Sequence, residues 1–384
     1  MYIIKFVKKV LKDTFLLAYF QYTFYIFTDM HNDSISVIGL MSGTSLDGLD
    51  VVYAKFDKKN FKSYKIVACN TYSYTDEIVQ KLKNGIYAQK EELLKLDKDF
   101  GGFIGNRVNE FREDYGISEV DFIASHGHTI FHEPAKGITL QIGSGQKIAN
   151  LTKVQVVCDF RTQDVRLGGE GAPLVPIGDK LLFSDYDACL NLGGFANVSF
   201  DQREERIAFD ICPVNIVLNH YARKLDLAYD KSGEIASNGH VQEELLKALN
   251  DIDFYRAAPP KSLGYEWVLK YIFPLIDSCK MSNQDILSTY VEHVAIQLST
   301  VLRSKPSTLV TGGGVFNTFL MERVIHYSGN QFKIPSKEMI NYKEALVFAF
   351  LGLLRTEGKV NCLKSVTGAK KNHSSGVIFN PNNT

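Results

Sequence analysis

Ile38-Gly39-Leu40-Met41-Ser42-Gly43-Thr44-Ser45-Leu46-Asp47-Gly48-Leu49-Asp50 is an apolar, strand-like run that breaks into a turn of glycine, hydroxyl and carboxylate residues. Val51 to Phe56 resumes the apolar pattern at once, so the stretch reads as the first strand pair of a sheet. Such a turn offers backbone N–H groups that glycine leaves unobstructed. Donors arranged in a concavity bind anions, phosphates above all. The competing reading is an ordinary tight hairpin, which Gly and Asp favour in any case.

Working outward, Ser36 to Leu40, Val51 to Phe56 and Ser63 to Tyr74 read as three consecutive strands. Thr75 to Lys83 and Glu91 to Phe111 read as helices, and Val120 to Ser125, Ile138 to Ile142 and Val154 to Cys158 as strands. A second set follows. Ala188 to Leu192 and Ala196 to Phe200 flank Gly193-Gly194; Ile207 to Phe209 is a strand and Val214 to Lys224 a helix. Gln284 to Leu302 has apolar residues at helical spacing, and Thr308 to Val310 runs into Gly312-Gly313-Gly314. Strands, helices, then strands and helices again predict two α/β domains of related build. No low-complexity linker marks the boundary between them. A single glycine turn at a strand end is weak; three, spread over both halves, point to a nucleotide in a cleft between domains.

The chain of 384 residues carries 43 Lys plus Arg against 43 Asp plus Glu, so the basic excess of a nucleic-acid binder is missing. Its six cysteines are scattered with no Cys-x-x-Cys pair. That speaks against a disulfide framework or zinc knuckle and predicts a reducing, cytoplasmic setting. Thr14 to Phe27 is apolar behind Lys8, Lys9 and Lys12, which resembles a signal peptide. It has no small-residue cleavage site and is shorter than the ~20 residues that span a bilayer, so no stable membrane association is expected. Met30 as the start of translation is the competing reading.

Two further patterns suggest chemistry. His126 and His128 alternate as on one strand face, which would suit a metal-dependent hydrolase or, equally, contacts to a sugar or backbone. Asp210 ends the run Ile207-Ala208-Phe209 and precedes a helix, a position suited to a general base or to a cap. Asp159 and Asp164 stand likewise after Val156-Val157-Cys158.

From about Ile35 to Asn380 the chain resembles the 1,6-anhydro-N-acetylmuramic acid kinases, of the actin-like, hexokinase-like ATPase superfamily. The resemblance rests on many short motifs in one order. They are Met41 to Gly48, Ser125-His126-Gly127, Leu140 to Gly143, Asp159-Phe160-Arg161, Gly168 to Pro176 and Asn191 to Asn197. Phe209-Asp210, Pro260-Lys261-Ser262, Gly312 to Gly314 with Asn317, Glu344-Ala345 and Val366 to Ala369 complete it. It implies two related actin-like, ribonuclease H-like ATPase domains, expected over residues 35–160 and 161–384 behind an extension over 1–34, with the C-terminal tail free to return to the first domain. It implies that ATP with Mg²⁺ lies in the cleft, touched by Gly43, Thr44, Ser45, Leu46, Asp47 and Gly48, by Gly193 and Gly194, and by Gly312, Gly313, Gly314 and Asn317. It implies Asp210 as the base that activates water against an anhydro amino sugar, with His126, Asp159, Arg161, Asp164 and Glu344 around that sugar and no protein-held metal. A homodimer stays open.

The chain departs from the family pattern at Cys212 and Val214, where glycines are usual, and at Thr162 and Gln163, where basic residues are usual. Glu170 and His128 each replace a usual Gln. If the Cys212 and Val214 positions need positive φ, they will be strained. An ATP- and sugar-binding sensor without catalysis, and a metallohydrolase on His126 and His128, are the alternative functions.

Overall fold

The structure is a computed structural model that describes residues 33–43 and 45–382. Thr44 and the N-terminal segment read above as signal-like lie outside the described residues.

The first sheet is built from β1 (Ser34–Ser42), β2 (Gly48–Asp57), β3 (Tyr64–Ser73), β4 (Phe122–Ser125) and β7 (Gln155–Cys158), with β5 (His128–Glu133) and β6 (Ile138–Ile142) forming a separate hairpin. Its order is β13-β7-β4-β1-β2-β3, where β13 is Val377–Phe379. β1, β2 and β3 pair antiparallel, β1, β4 and β7 run parallel, and β13 adds antiparallel to β7.

The second sheet comprises β8 (Ala188–Leu192), β9 (Phe195–Gln202), β10 (Glu205–Pro213), β11 (Thr308–Thr311) and β12 (Phe332–Lys333), in the order β10-β9-β8-β11-β12. β8, β9 and β10 are antiparallel, and β8, β11 and β12 parallel. Leaving β13 aside, the two sheets repeat one strand order with one set of directions. This is the duplicated α/β architecture that the alternation of elements predicts. It makes the Gly43 turn after β1 the counterpart of the Gly193 turn after β8. By the same rule His126-Gly127 after β4 corresponds to Gly312-Gly313-Gly314 after β11.

The helices that position the cleft are α1 (Asp76–Asn84), α2 (Lys90–Asp114), α3 (Gly145–Thr152), α4 (Val175–Leu182), α5 (Asn215–Arg223), α6 (Asn283–Leu302), α7 (Thr318–Ser328) and α8 (Lys337–Thr356). α6 is buried almost all round, including Ser288, Thr289 and His293, because it runs through the centre of the second lobe's core rather than along its surface. α8 packs on β1, β2 and β4 of the first sheet while also touching β11 and α4, so it lies between the lobes. Gly39 permits that approach, since a Cβ there would collide with the Ala345 carbonyl oxygen. Among the described residues no helix is long and apolar enough to cross a membrane.

Candidate active site

The ends of the strands turn their loops toward one cleft. On β10 a bulge between Asp210 and Cys212 breaks the pairing with β9. A bulge of this kind re-aims a side chain, and here Asp210 is directed into a cavity of about 1030 Å³. Its walls include Asp50, Glu170, Asp179, Asn191, Thr311, Gly312, Gly313, Lys261, Lys343 and Glu344, drawn from both lobes and from α8.

Asp210 Oδ2 accepts the Leu263 backbone N–H at 2.8 Å, and its own N–H donates to the Lys261 carbonyl at 3.0 Å. Burial raises its pKa, and the Leu263 hydrogen bond offsets only part of that rise. A carboxylate made more basic and fixed by one backbone donor is suited to take a proton from water. Glu344 projects from α8 into the open cleft, yet protein surrounds it closely enough that burial raises its pKa, against the lowering charges of Lys343 and Arg161. Asp50 is also raised by burial; Thr71 Oγ1 donates to it at 2.6 Å. Burial lowers the pKa of Lys261, whose Nζ donates to the Phe254 carbonyl at 3.0 Å.

The glycines of the third turn answer different demands. Gly312 has φ +86°, and a Cβ there would sit 2.7 Å from the Leu192 carbonyl oxygen. At Gly314 it would lie 2.8 Å from Leu192 Cβ. At Gly313 a Cβ would meet nothing within 4 Å, so only an occupant of the cavity could require a glycine there. Gly193 and Gly194 lie beside this turn, because Thr311 pairs with Asn191 across the parallel strands. Their carbonyls accept the first N–H groups of α5, with Val214 N–H to Gly194 at 2.7 Å and Asn215 N–H to Gly193 at 3.3 Å.

Of the residues expected from the sequence to act on or bind ATP and the sugar, Asp210, Glu344, Gly312 and Gly313 line the cavity. Gly43, Ser45, Leu46, Asp47 and Gly48 form the turn between β1 and β2 outside that lining. Leu46 takes φ +61° there and Asp47 is exposed. Gly193, Gly194 and Gly314 also stand outside the lining. Asn317 is the N-cap of α7, its Oδ1 accepting the Leu320 N–H at 3.0 Å. Arg161 sits behind the wall, its Nε–H donating to His126 Nε2 at 2.9 Å and its Nη1 to the Gly171 carbonyl at 2.6 Å. Asp159 adopts φ +56° and accepts the Thr162 N–H at 3.3 Å. Asp164 is fully buried, accepting Gly171 N–H at 2.7 Å and Thr367 Oγ1–H at 2.8 Å.

The paired-histidine reading loses its geometry. β4 ends at Ser125 and β5 begins at His128, with Gly127 at φ +73° between them, so the two imidazoles do not share a strand face. Because Arg161 donates to His126 Nε2, the His126 proton sits on Nδ1 and points at the Gly127 carbonyl, 2.9 Å away. His128 Nδ1 instead meets Ser42 Oγ at 2.9 Å, and burial lowers its pKa to about 4. The positive φ considered for the positions after Asp210 is not adopted: Val214 has φ −127°, and Cys212 is not among the residues with positive φ.

Sequence reading missed the ion pair of Lys343 and Asp179, 2.8 Å apart with both side chains buried, which ties α8 to α4 across the cavity. Ser199 Oγ–H donates to the second Asp179 oxygen at 2.5 Å and is itself held by Arg206 at 3.0 Å. A charged residue next to Glu344 in a stretch of otherwise apolar helix was the available signal.

The family model described as "Anhydro-N-acetylmuramic acid kinase" matches residues 35–381. The chain belongs to the anhydro-N-acetylmuramic acid kinase family. It is 32% identical over 365 residues to the anhydro-N-acetylmuramic acid kinase of Pseudomonas savastanoi pv. phaseolicola, covering 89% of this chain and 98% of that protein. It is 33% identical over 359 residues to that of Sulfurovum sp. strain NBC37-1, with the same coverage. Among solved structures, the activator of the 2-hydroxyisocaproyl-CoA dehydratase from Clostridium difficile with bound ADPNP is 12% identical at a TM-score of 0.41, over 84% of this chain and 97% of that one. Membership of this kinase family rests on the sequence relatives.

Proposed function

We propose that the protein hydrolyses the 1,6-anhydro bond of 1,6-anhydro-N-acetylmuramic acid while phosphorylating O6 with ATP, giving N-acetylmuramic acid 6-phosphate and ADP in cell-wall recycling. The observation that carries the reading is Asp210, turned by a strand bulge into the cleft between the lobes, basic through burial and held by the Leu263 N–H. The two repeated sheets support a division near residue 160, with β13 counted to the first lobe.

In this mechanism Asp210 takes a proton from water. The water oxygen attacks the anomeric carbon, the bond from that carbon to O6 breaks, and O6 receives the γ-phosphoryl group of ATP. Glu344 orients the sugar, and Arg161, locked by His126 and Gly171, supports it from behind the wall. Residues 43–48 and Gly193 with Gly194 hold the phosphates, and Gly313 gives the adenosine its space. The lining sets five carboxylates against two ammonium groups, Lys261 and Lys343. An ATP polyanion entering there needs a hard cation bound by oxygen donors, which fits Mg²⁺ with Asp50, the lining carboxylate on β2 just after the first glycine turn. Bound Mg²⁺ supplies neutralisation of phosphate charge.

The test is to incubate the protein with ATP and the anhydro sugar in ¹⁸O-labelled water and weigh the products. The label should appear on the anomeric hydroxyl and not on the transferred phosphate. Asp210→Asn should still bind ATP and lose ring opening and phosphorylation together, by ~10² to 10⁴ in rate. Label on phosphate, or near-normal turnover by the variant, refutes the assignment.

A further inference from the structure

Behind the Arg161 wall lies a second cluster of donor atoms that the reaction does not use. Cys362 and His373 form an isolated antiparallel bridge, with Cys362 N–H donating to the His373 carbonyl at 3.1 Å and His373 N–H to the Cys362 carbonyl at 3.2 Å. The bridge closes residues 363–372 into a loop. Asn361 fixes its base by accepting the Ser375 N–H at 2.6 Å. From the other side the chain of residues 162–171 wraps Asp164, which is wholly buried. Cys362 and His373 are 2% and 5% exposed. A carboxylate oxygen, a thiol sulfur and an imidazole nitrogen of these three residues lie within 4.8 Å of one another.

The imidazole supplies the deciding detail. His373 Nδ1 faces the Lys371 carbonyl at 3.2 Å, a carbonyl that can only accept, so Nδ1 carries a proton. Nε2 is buried without a hydrogen-bond partner, and the atom it faces is Asp164 Oδ1 at 3.5 Å. The contact makes no hydrogen bond, so a buried imidazole nitrogen stands beside a buried carboxylate oxygen without a direct partner, and an ion bound to both would satisfy it. An imidazole whose other nitrogen donates to a backbone carbonyl is the usual arrangement of a metal-bound histidine.

We propose that Asp164, Cys362 and His373 bind a divalent ion of the borderline-soft class, with Zn²⁺ as the best match to one oxygen, one sulfur and one nitrogen donor. Binding forms the sulfur–metal bond and releases the Cys362 thiol proton to solvent. The protein supplies three of the four donors that a tetrahedral ion takes. The ion joins the 363–372 loop to the segment that carries Arg161, Glu170 and Gly171, and so braces one wall of the cavity. Its role is structural and is independent of the proposed reaction.

The test uses the full chain purified without a histidine tag, loaded with ZnSO₄ and freed of excess metal by gel filtration. One zinc per chain is expected, together with a zinc-dependent rise in thermal midpoint. Cys362→Ser and His373→Gln should weaken zinc binding by at least the ~10- to 100-fold that loss of a mere outer-shell partner costs. In parallel, Co²⁺ titrated into the wild type should give a thiolate-to-metal charge-transfer band, which decides the matter even if a variant fails to fold. Absence of that band, sub-stoichiometric zinc in the wild type, or full zinc retention by both variants overturns the proposal.

Discussion

Asp179→Asn should destabilise the protein far more than loss of an ordinary surface ion pair. At 2.8 Å and an effective dielectric of about 20, the gross attraction between Asp179 and Lys343 is about 6 kcal/mol. Removing two ions from water costs several kcal/mol each, so the net value of the pair is near zero. The single variant keeps the cost and loses the gain. Lys343, 6% exposed, would be left charged without its ion-pair partner, which costs about 3–5 kcal/mol. Asp179→Leu combined with Lys343→Met removes both charges and should recover most of the loss. The assay is equilibrium urea denaturation of wild type, Asp179→Leu, Lys343→Met and the double variant, with Asp179→Asn alongside. Trp267 is the chain's one tryptophan and reports the second lobe, so circular dichroism must be followed alongside it. A coupling energy above about 2 kcal/mol is expected, against 0–1 kcal/mol for an exposed pair. Additive single effects, with coupling below about 0.5 kcal/mol, would refute the reasoning. Burial alone would lower the Lys343 pKa, but the Asp179 carboxylate outweighs it and the folded value is raised. The pair's contribution is therefore complete below the unfolded lysine value of about 10.4 and is lost as pH rises through the folded one.

Two further outcomes follow from the cavity. Gly313→Val should leave the melting temperature unchanged, since a Cβ there meets no atom within 4 Å, while raising the KM for ATP at least tenfold, about 1.4 kcal/mol; Gly314→Ala, which would press on Leu192, should instead cost about 1–3 kcal/mol of stability in the same melts. In a pH–rate profile, kcat/KM should fall as pH drops through the raised Asp210 value, so the acid limb should lie above the ordinary aspartate value of about 3.9, and it should persist in Glu344→Gln but vanish in Asp210→Asn.

The strands of both sheets other than β12 and β13 were legible because their apolar runs end in Gly, Asp and Asn turns, and Asp210 and the Gly312 turn were legible because they stop such runs. Other features depend on contacts that no local pattern records. Asp50 follows Leu49 on β2, and alternation alone does not say that its face opens on the cleft. α8 was missed because residues 345–354 are buried on every side, which erases the helical period. Asn317, read as a ligand residue, caps α7, and a polar residue before a helix serves either purpose, so its spacing does not choose between them. The gap between His126 and His128 needed the left-handed turn at Gly127, which a glycine permits without announcing.

The place of β13 has a consequence for biosynthesis. The edge of β7 finds its partner only in Val377–Phe379, more than two hundred residues later, and Phe379 also fills the space beside Gly145. α8, which covers β1, β2 and β4, likewise arrives late. A growing chain therefore carries the first lobe's sheet with one edge bare and one face uncovered while the whole second lobe is made. Unpaired strand edges and exposed apolar faces are what nascent chains aggregate through, and closing so long a loop is slow. The lobe that comes first in the sequence is completed last, because β13 and α8, which close it, follow the second lobe's strands in the chain.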